Sequence, residues 1–116
     1  MTPDEFRKLA LSLPDTEERS HMNHPDFRRS GGKIFATLGS PDAAWGMVKL
    51  DSESQPVYMR PHPEVFKPAA GAWGRGGSTL VHLKNADPEI VNEALHAAWK
   101  LAQPKPKAPP KKKRGA

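Results

Sequence analysis

The chain has 116 residues, with 18 Lys and Arg, 13 Asp and Glu, 13 Pro, 9 Gly and no Cys, and a formal net charge of +5. That length holds one domain, and 36 % apolar residues support one modest core. The missing Cys excludes a disulfide framework, a thiolate metal site and a Cys nucleophile, and the short apolar runs exclude a membrane span.

The start, Met1-Thr2-Pro3-Asp4-Glu5, is polar and acidic, so no secretory signal is read there and a cytoplasmic protein is expected. Thr2 and Glu5 form a capping box, and Pro3 suits a first helical turn. Phe6, Leu9, Ala10 and Leu13 then come at helical spacing, and Pro14 ends the helix. Thr16 to Met22 is short and polar, a candidate edge strand, and His24-Pro25 marks a turn. Phe27 to Arg29 reads as extended, Ser30-Gly31-Gly32 as a tight turn, and Lys33 to Leu38 as a strand. Alternation in that strand puts Ile34, Ala36 and Leu38 on one face and Lys33, Phe35 and Thr37 on the other.

After the turn Gly39-Ser40-Pro41-Asp42, a strand is expected from Ala44 to Leu50, with Trp45, Met47 and Lys49 sharing a face. Ser52 to Met59 reads as a short helix whose start Pro56 obscures. Val65 to Lys67 suits a short extended piece or part of a small helical turn, and Pro68 to Gly77 a Gly- and Ala-rich loop around Trp73. Ser78 to Leu83 reads as a strand, with Leu80 and His82 opposite Thr79, Val81 and Leu83. Asp87 caps the last helix and Pro88 opens it. Its apolar stripe is Ile90, Val91, Ala94, Leu95, Ala98, Trp99 and Ala102, and Pro104 ends it. Neighbouring strands without strict alternation argue for a two-layer α+β fold with an antiparallel sheet of about five strands, ordered α-β-β-β-α-β-β-α. Helices would pack on one sheet face and leave the other partly exposed.

The charge is concentrated at one end. Residues 104–116 carry Lys105, Lys107, Lys111, Lys112, Lys113 and Arg114 with no acid, while residues 1–103 hold twelve Lys and Arg against thirteen acids, one net negative charge. Four prolines and like-charge repulsion point to a disordered, extended arm outside the 1–103 domain. Such an arm neutralises phosphates without fixed geometry. Six charges on duplex DNA would give a log–log salt slope of about −5 at most.

The segments His24-Pro25-x-Phe27-Arg28, Gly32-Lys33-Ile34-Phe35-Ala36, Pro61-His62-Pro63-x-x-Phe66-x-Pro68 and Trp73-Gly74-x-Gly76-Gly77, with the closing Asp87-Pro88-Glu89 helix through Ala98-Trp99-Lys100, resemble the MmcQ/YjbR family of small bacterial proteins. The resemblance covers about residues 1–103. It implies a five-stranded antiparallel sheet related to secretion-chaperone-like and frataxin-like folds. It also implies DNA binding, a role attached to the family through a double-wing arrangement of strands, and it brings no catalytic set.

Body residues that could meet a nucleic acid are Arg28, Arg29 and Lys33 around the Gly31-Gly32 turn, although alternation separates Arg28 from Arg29. Trp73 and Arg75 add an aromatic and a cation in a glycine-rich segment, where a base could stack and a backbone approach a phosphate. That segment lacks the Lys-Ser/Thr ending of a P-loop. His21 and His24 have His-x-x-His spacing, but a strand-to-turn segment does not put both on one face, so no metal site is assigned. No nucleophile with a base and no paired acids stand out, so neither an enzyme nor a cofactor is expected.

The sequence therefore points to a monomeric, non-enzymatic protein that binds DNA weakly, with little sequence preference and no membrane partner. The tail lysines would supply most of the attraction. The alternative is a chaperone-like protein- or peptide-interaction module whose tail is only a solubilising or polyanion-binding arm.

Overall fold

The computed structural model describes residues 1–39 and 41–104. The order of elements is α1 (Pro3–Leu11), β1 (Thr16–His21), β2 (His24–Arg29), β3 (Ile34–Leu38), β4 (Trp45–Lys49), α2 (Gln55–Met59), β5 (Phe66–Pro68), α3 (Gly71–Arg75), β6 (Ser78–His82), a single 3-10 turn (Leu83–Asn85) and α4 (Pro88–Leu101). The strands form one antiparallel sheet in the order β1-β2-β3-β4-β6-β5. This is the α+β class expected, with a sixth strand. The sixth is β1, the candidate edge strand, whose sequence Thr-Glu-Glu-Arg-Ser-His carries no apolar alternation and which pairs with β2 along its whole length.

Both long helices begin as their sequences direct. Thr2 Oγ1 accepts from the Glu5 amide at 3.1 Å, and Glu5 Oε1 accepts from the Thr2 amide at 2.7 Å. Asp87 Oδ1 accepts from the Glu89 amide at 2.8 Å. Their apolar stripes pack on one sheet face. Phe6, Ala10, Val91, Ala94, Leu95 and Ala98 meet Phe27, Ala36, Val48 and Val81 there, all at 0 % exposure. Burying these side chains is the main stabilising term of the fold.

Three local readings change. The β1–β2 turn is Met22–Asn23, both with positive φ (51° and 66°), as a two-residue hairpin of matching twist requires. His24-Pro25 therefore lies in β2. Pro25 pairs only with β1, since the β2–β3 pairing starts at Asp26, so its missing amide disturbs no ladder between them. Second, a bulge sets Phe35 and Ala36 together opposite Phe27, because Ala36 pairs with Phe27 and Ile34 with Arg28. Both Phe35 and Ala36 thereby enter the core, and Ile34 turns to the opposite face from the one alternation assigned. Third, residues 71–75, expected as loop, form the single turn α3, and α2 starts at Gln55 with Pro56 tolerated in its first turn.

Candidate functional site

Helices cover one face of the sheet; the other face is open and concave. It is built by strand alternation: Met47 and Lys49 from β4, Leu80 and Ser78 from β6, Lys67 from β5, Thr37 and the bulge-turned Ile34 from β3. Together with His24, Pro41, Pro68, Ala69 and Ala70 these residues line a cleft of about 1020 Å³. Met22, at the tip of the β1–β2 hairpin, and Trp73, on α3, complete the lining. They are the two most exposed large apolar side chains among the described residues, at 85 % and 70 %.

The charge of this lining is one-sided. It includes Lys49, Lys67 and His24, and among the described residues no Asp or Glu. Yet the 1–103 segment has one more acid than it has Lys and Arg. Several of those acids are occupied elsewhere. Asp4 and Glu18 both pair with Arg7, at 2.8 and 3.0 Å, and Glu17 pairs with Arg19 at 2.7 Å.

Each lysine is placed by an aromatic ring. Lys49 Nζ lies 5.5 Å from the centre of the Trp73 ring, and Lys67 Nζ 4.9 Å from that of Trp45. Trp45 also contacts His82, with centroids 4.6 Å apart and the rings tilted by 37°. Trp45 thus positions Lys67 between the cleft and a ring that already has partners, whereas Trp73 keeps most of its surface open.

The turn that carries Trp73 is anchored through Gln55. Its side-chain amide is buried and donates to the Gly74 carbonyl at 3.1 Å, the Ser78 carbonyl at 3.3 Å and Thr79 Oγ1 at 3.0 Å. One residue of α2 therefore ties α3 to β6. Gly74 also lets the chain leading into α3 pack against the turn, since a Cβ there would overlap the Ala69 carbonyl oxygen. The start of α2 is fixed in turn by Asp51, which accepts from the Ser54 amide and hydroxyl, each at 2.8 Å. Those bonds, the backbone one first, hold the Asp51 carboxyl below its ordinary value.

The residues singled out in the sequence divide between sites. Arg28 points to the open-face side, where its guanidinium pairs with the fully buried Asp26 through two bonds of 3.0 Å. Arg29 points to the helix side. Its guanidinium lies 3.7 Å over the Trp99 ring and donates to the Trp99 carbonyl at 3.2 Å, complementing the C-terminal end of α4. The Lys33 amide donates to the Ala102 carbonyl at 3.2 Å, so the β2–β3 turn is docked on the end of α4 while the Lys33 side chain is exposed. Arg75 is exposed on α3. Lys105, Lys107, Lys111, Lys112, Lys113 and Arg114 lie outside the described residues. Sequence reasoning missed Lys49 and Lys67 as a pair. Alternation put Lys49 beside Trp45 and Met47, but only the β4-β6-β5 order brings Lys67 to the same wall.

Among the described residues no three His, Asp or Glu side chains converge as a metal site would need, and no helix is long and apolar enough to cross a membrane. The family model described as YjbR matches residues 11–101. The fold is similar to the crystal structure of Deinococcus radiodurans protein DR2400, a domain of the DUF419 family model, with a TM-score of 0.70 and 20 % identity over 86 % of this chain and 77 % of that one. No curated protein matches the chain in sequence.

Proposed function

The chain belongs to the YjbR family, and from that premise we propose that it is a non-enzymatic cytoplasmic protein that binds DNA weakly, with little sequence preference. The observation that carries this reading is the cleft lining, which presents Lys49, Lys67 and His24 and no acid among the described residues. A surface with cations and no counter-charges attracts a polyanion and repels nothing on it. The lysine-rich tail adds a second, geometry-free source of attraction. The chain leaves the described fold at Pro104, which packs beside Gly32, two residues from Ile34 in the cleft lining.

The test is anisotropy of labelled DNA titrated with the full chain and with K49E/K67E. The double reversal is expected to weaken binding about tenfold or more at low salt and to flatten the salt slope. Unchanged affinity and slope would remove the cleft from the reading.

A second reading, a protein- or peptide-interaction module, draws on the exposed Met22 and Trp73. Strand addition at β1 suits it less, because that edge strand carries Glu17, Glu18 and Arg19, charges of the kind that discourage edge pairing.

A further inference from the structure

Resting on the DNA-binding reading, we propose that the open cleft takes unpaired bases, so that its occupant is a single strand, with one base stacked on Trp73 and the flanking phosphates on Lys49 and Lys67. Three observations converge. Trp73 is 70 % exposed, yet α3, which carries it, is anchored by the buried Gln55. A large aromatic presented to solvent from an anchored turn is a stacking surface, and every base offers a π-face to it. Lys49 Nζ lies over one face of the same ring, 5.5 Å from its centre, which puts a cation beside a base stacked on the ring's open face. Third, the cleft has an apolar floor beside the cations, formed by Ile34, Met47 and Leu80.

That floor separates the two forms of DNA. A duplex turns phosphates outward and covers the faces of its bases, so it would leave Trp73 and the apolar floor against water or sugar. An unpaired stretch supplies both charge and flat apolar faces. Sheet surfaces with exposed aromatics are a general solution for reading unstacked bases.

The test uses the full chain with oligothymidine, a duplex of equal length and a poly-glutamate peptide. Tryptophan emission and labelled-strand anisotropy are both read, for the wild type, W73A, W73F and the exposed control K84A. The proposal expects tighter binding of oligothymidine than of duplex, with quenching of tryptophan emission on binding. W73A should lose about fivefold to a hundredfold in single-strand affinity along with most of the quenching. W73F should keep most of the affinity, and K84A should behave as the wild type. Equal binding of both DNAs, with W73A unaffected, would overturn the single-strand assignment and leave the DNA-binding reading standing. Binding of neither DNA would overturn both. Quenching by the peptide and not by oligothymidine would assign the cleft to acidic protein segments instead.

Discussion

Arg28 and Arg29 are neighbours in sequence, and the structure gives them unrelated partners. Arg29 lies over Trp99 and donates to its carbonyl, so its charge serves the end of α4. R29A should cost about 1–2 kcal/mol of stability, read by urea denaturation, because it removes a cation–π contact and a charge-assisted bond at the helix C-terminus. The same variant, assayed under conditions where it is fully folded, should leave DNA affinity unchanged. A loss of DNA affinity with no loss of stability would show that Arg29 is released from Trp99 to meet the ligand. Arg28 is bound to a carboxylate with no exposure, and its first duty is to compensate that buried charge.

At the scale of elements, α3 exists because of a contact far from it in sequence. Its five residues, Gly-Ala-Trp-Gly-Arg, include two glycines, each costing about 1 kcal/mol relative to Ala in a helix. A single turn of that composition does not stand alone in water. Gln55 supplies the missing support by bonding Gly74, Ser78 and Thr79 at once. Q55A should destabilise the protein by about 1–3 kcal/mol, since it leaves buried backbone acceptors without that donor. It should also speed amide exchange in residues 71–76 before the rest of the sheet opens. Protection in α3 equal to that of the wild type would show that the turn is held by other means.

The same contrast explains how much of the fold is legible in the sequence. α1 and α4 carry their own caps and a helical apolar period, and both can be read from local signals. β4 and β6 show their faces through alternation, which places Trp45 with Lys49 and Leu80 with His82 correctly. Phe35 escapes that reading, because the bulge opposite Phe27 adds a residue and reverses the facing of its neighbour Ile34, and nothing local marks it. β1 has no apolar alternation because it is an edge strand with charged side chains, held by its ladder to β2. Trp73 is legible as a candidate contact, but its lysine partner is not. The wall joining Trp73, Lys49 and Lys67 depends on strand order, a long-range property that no window of sequence contains.

At the scale of the whole molecule, the fold separates two tasks. One sheet face packs α1 and α4 and supplies the core; the other is left uncovered, and its cleft carries lysines, a histidine and two exposed apolar side chains with no acid among the described lining. The net charge of +5 conceals this arrangement, because the tail's six cations outweigh a body that is one unit negative. The two contributions are separable by salt. Two lysines on a single strand give a log–log slope of about −1.4, whereas adding six tail cations would steepen it to roughly −6 at full engagement.

The most direct measurement is therefore a salt series of single-strand binding by the full chain and by a chain ending at Gln103, which retains every helix and strand among the described residues, with circular dichroism to verify that it folds. The shorter chain is expected to bind at low salt with a shallow slope of about −1 to −2, and the full chain more tightly with a much steeper one. No binding by the folded shorter chain at any salt would contradict the account, since all affinity would then reside in the tail and the open cleft would have no part in it.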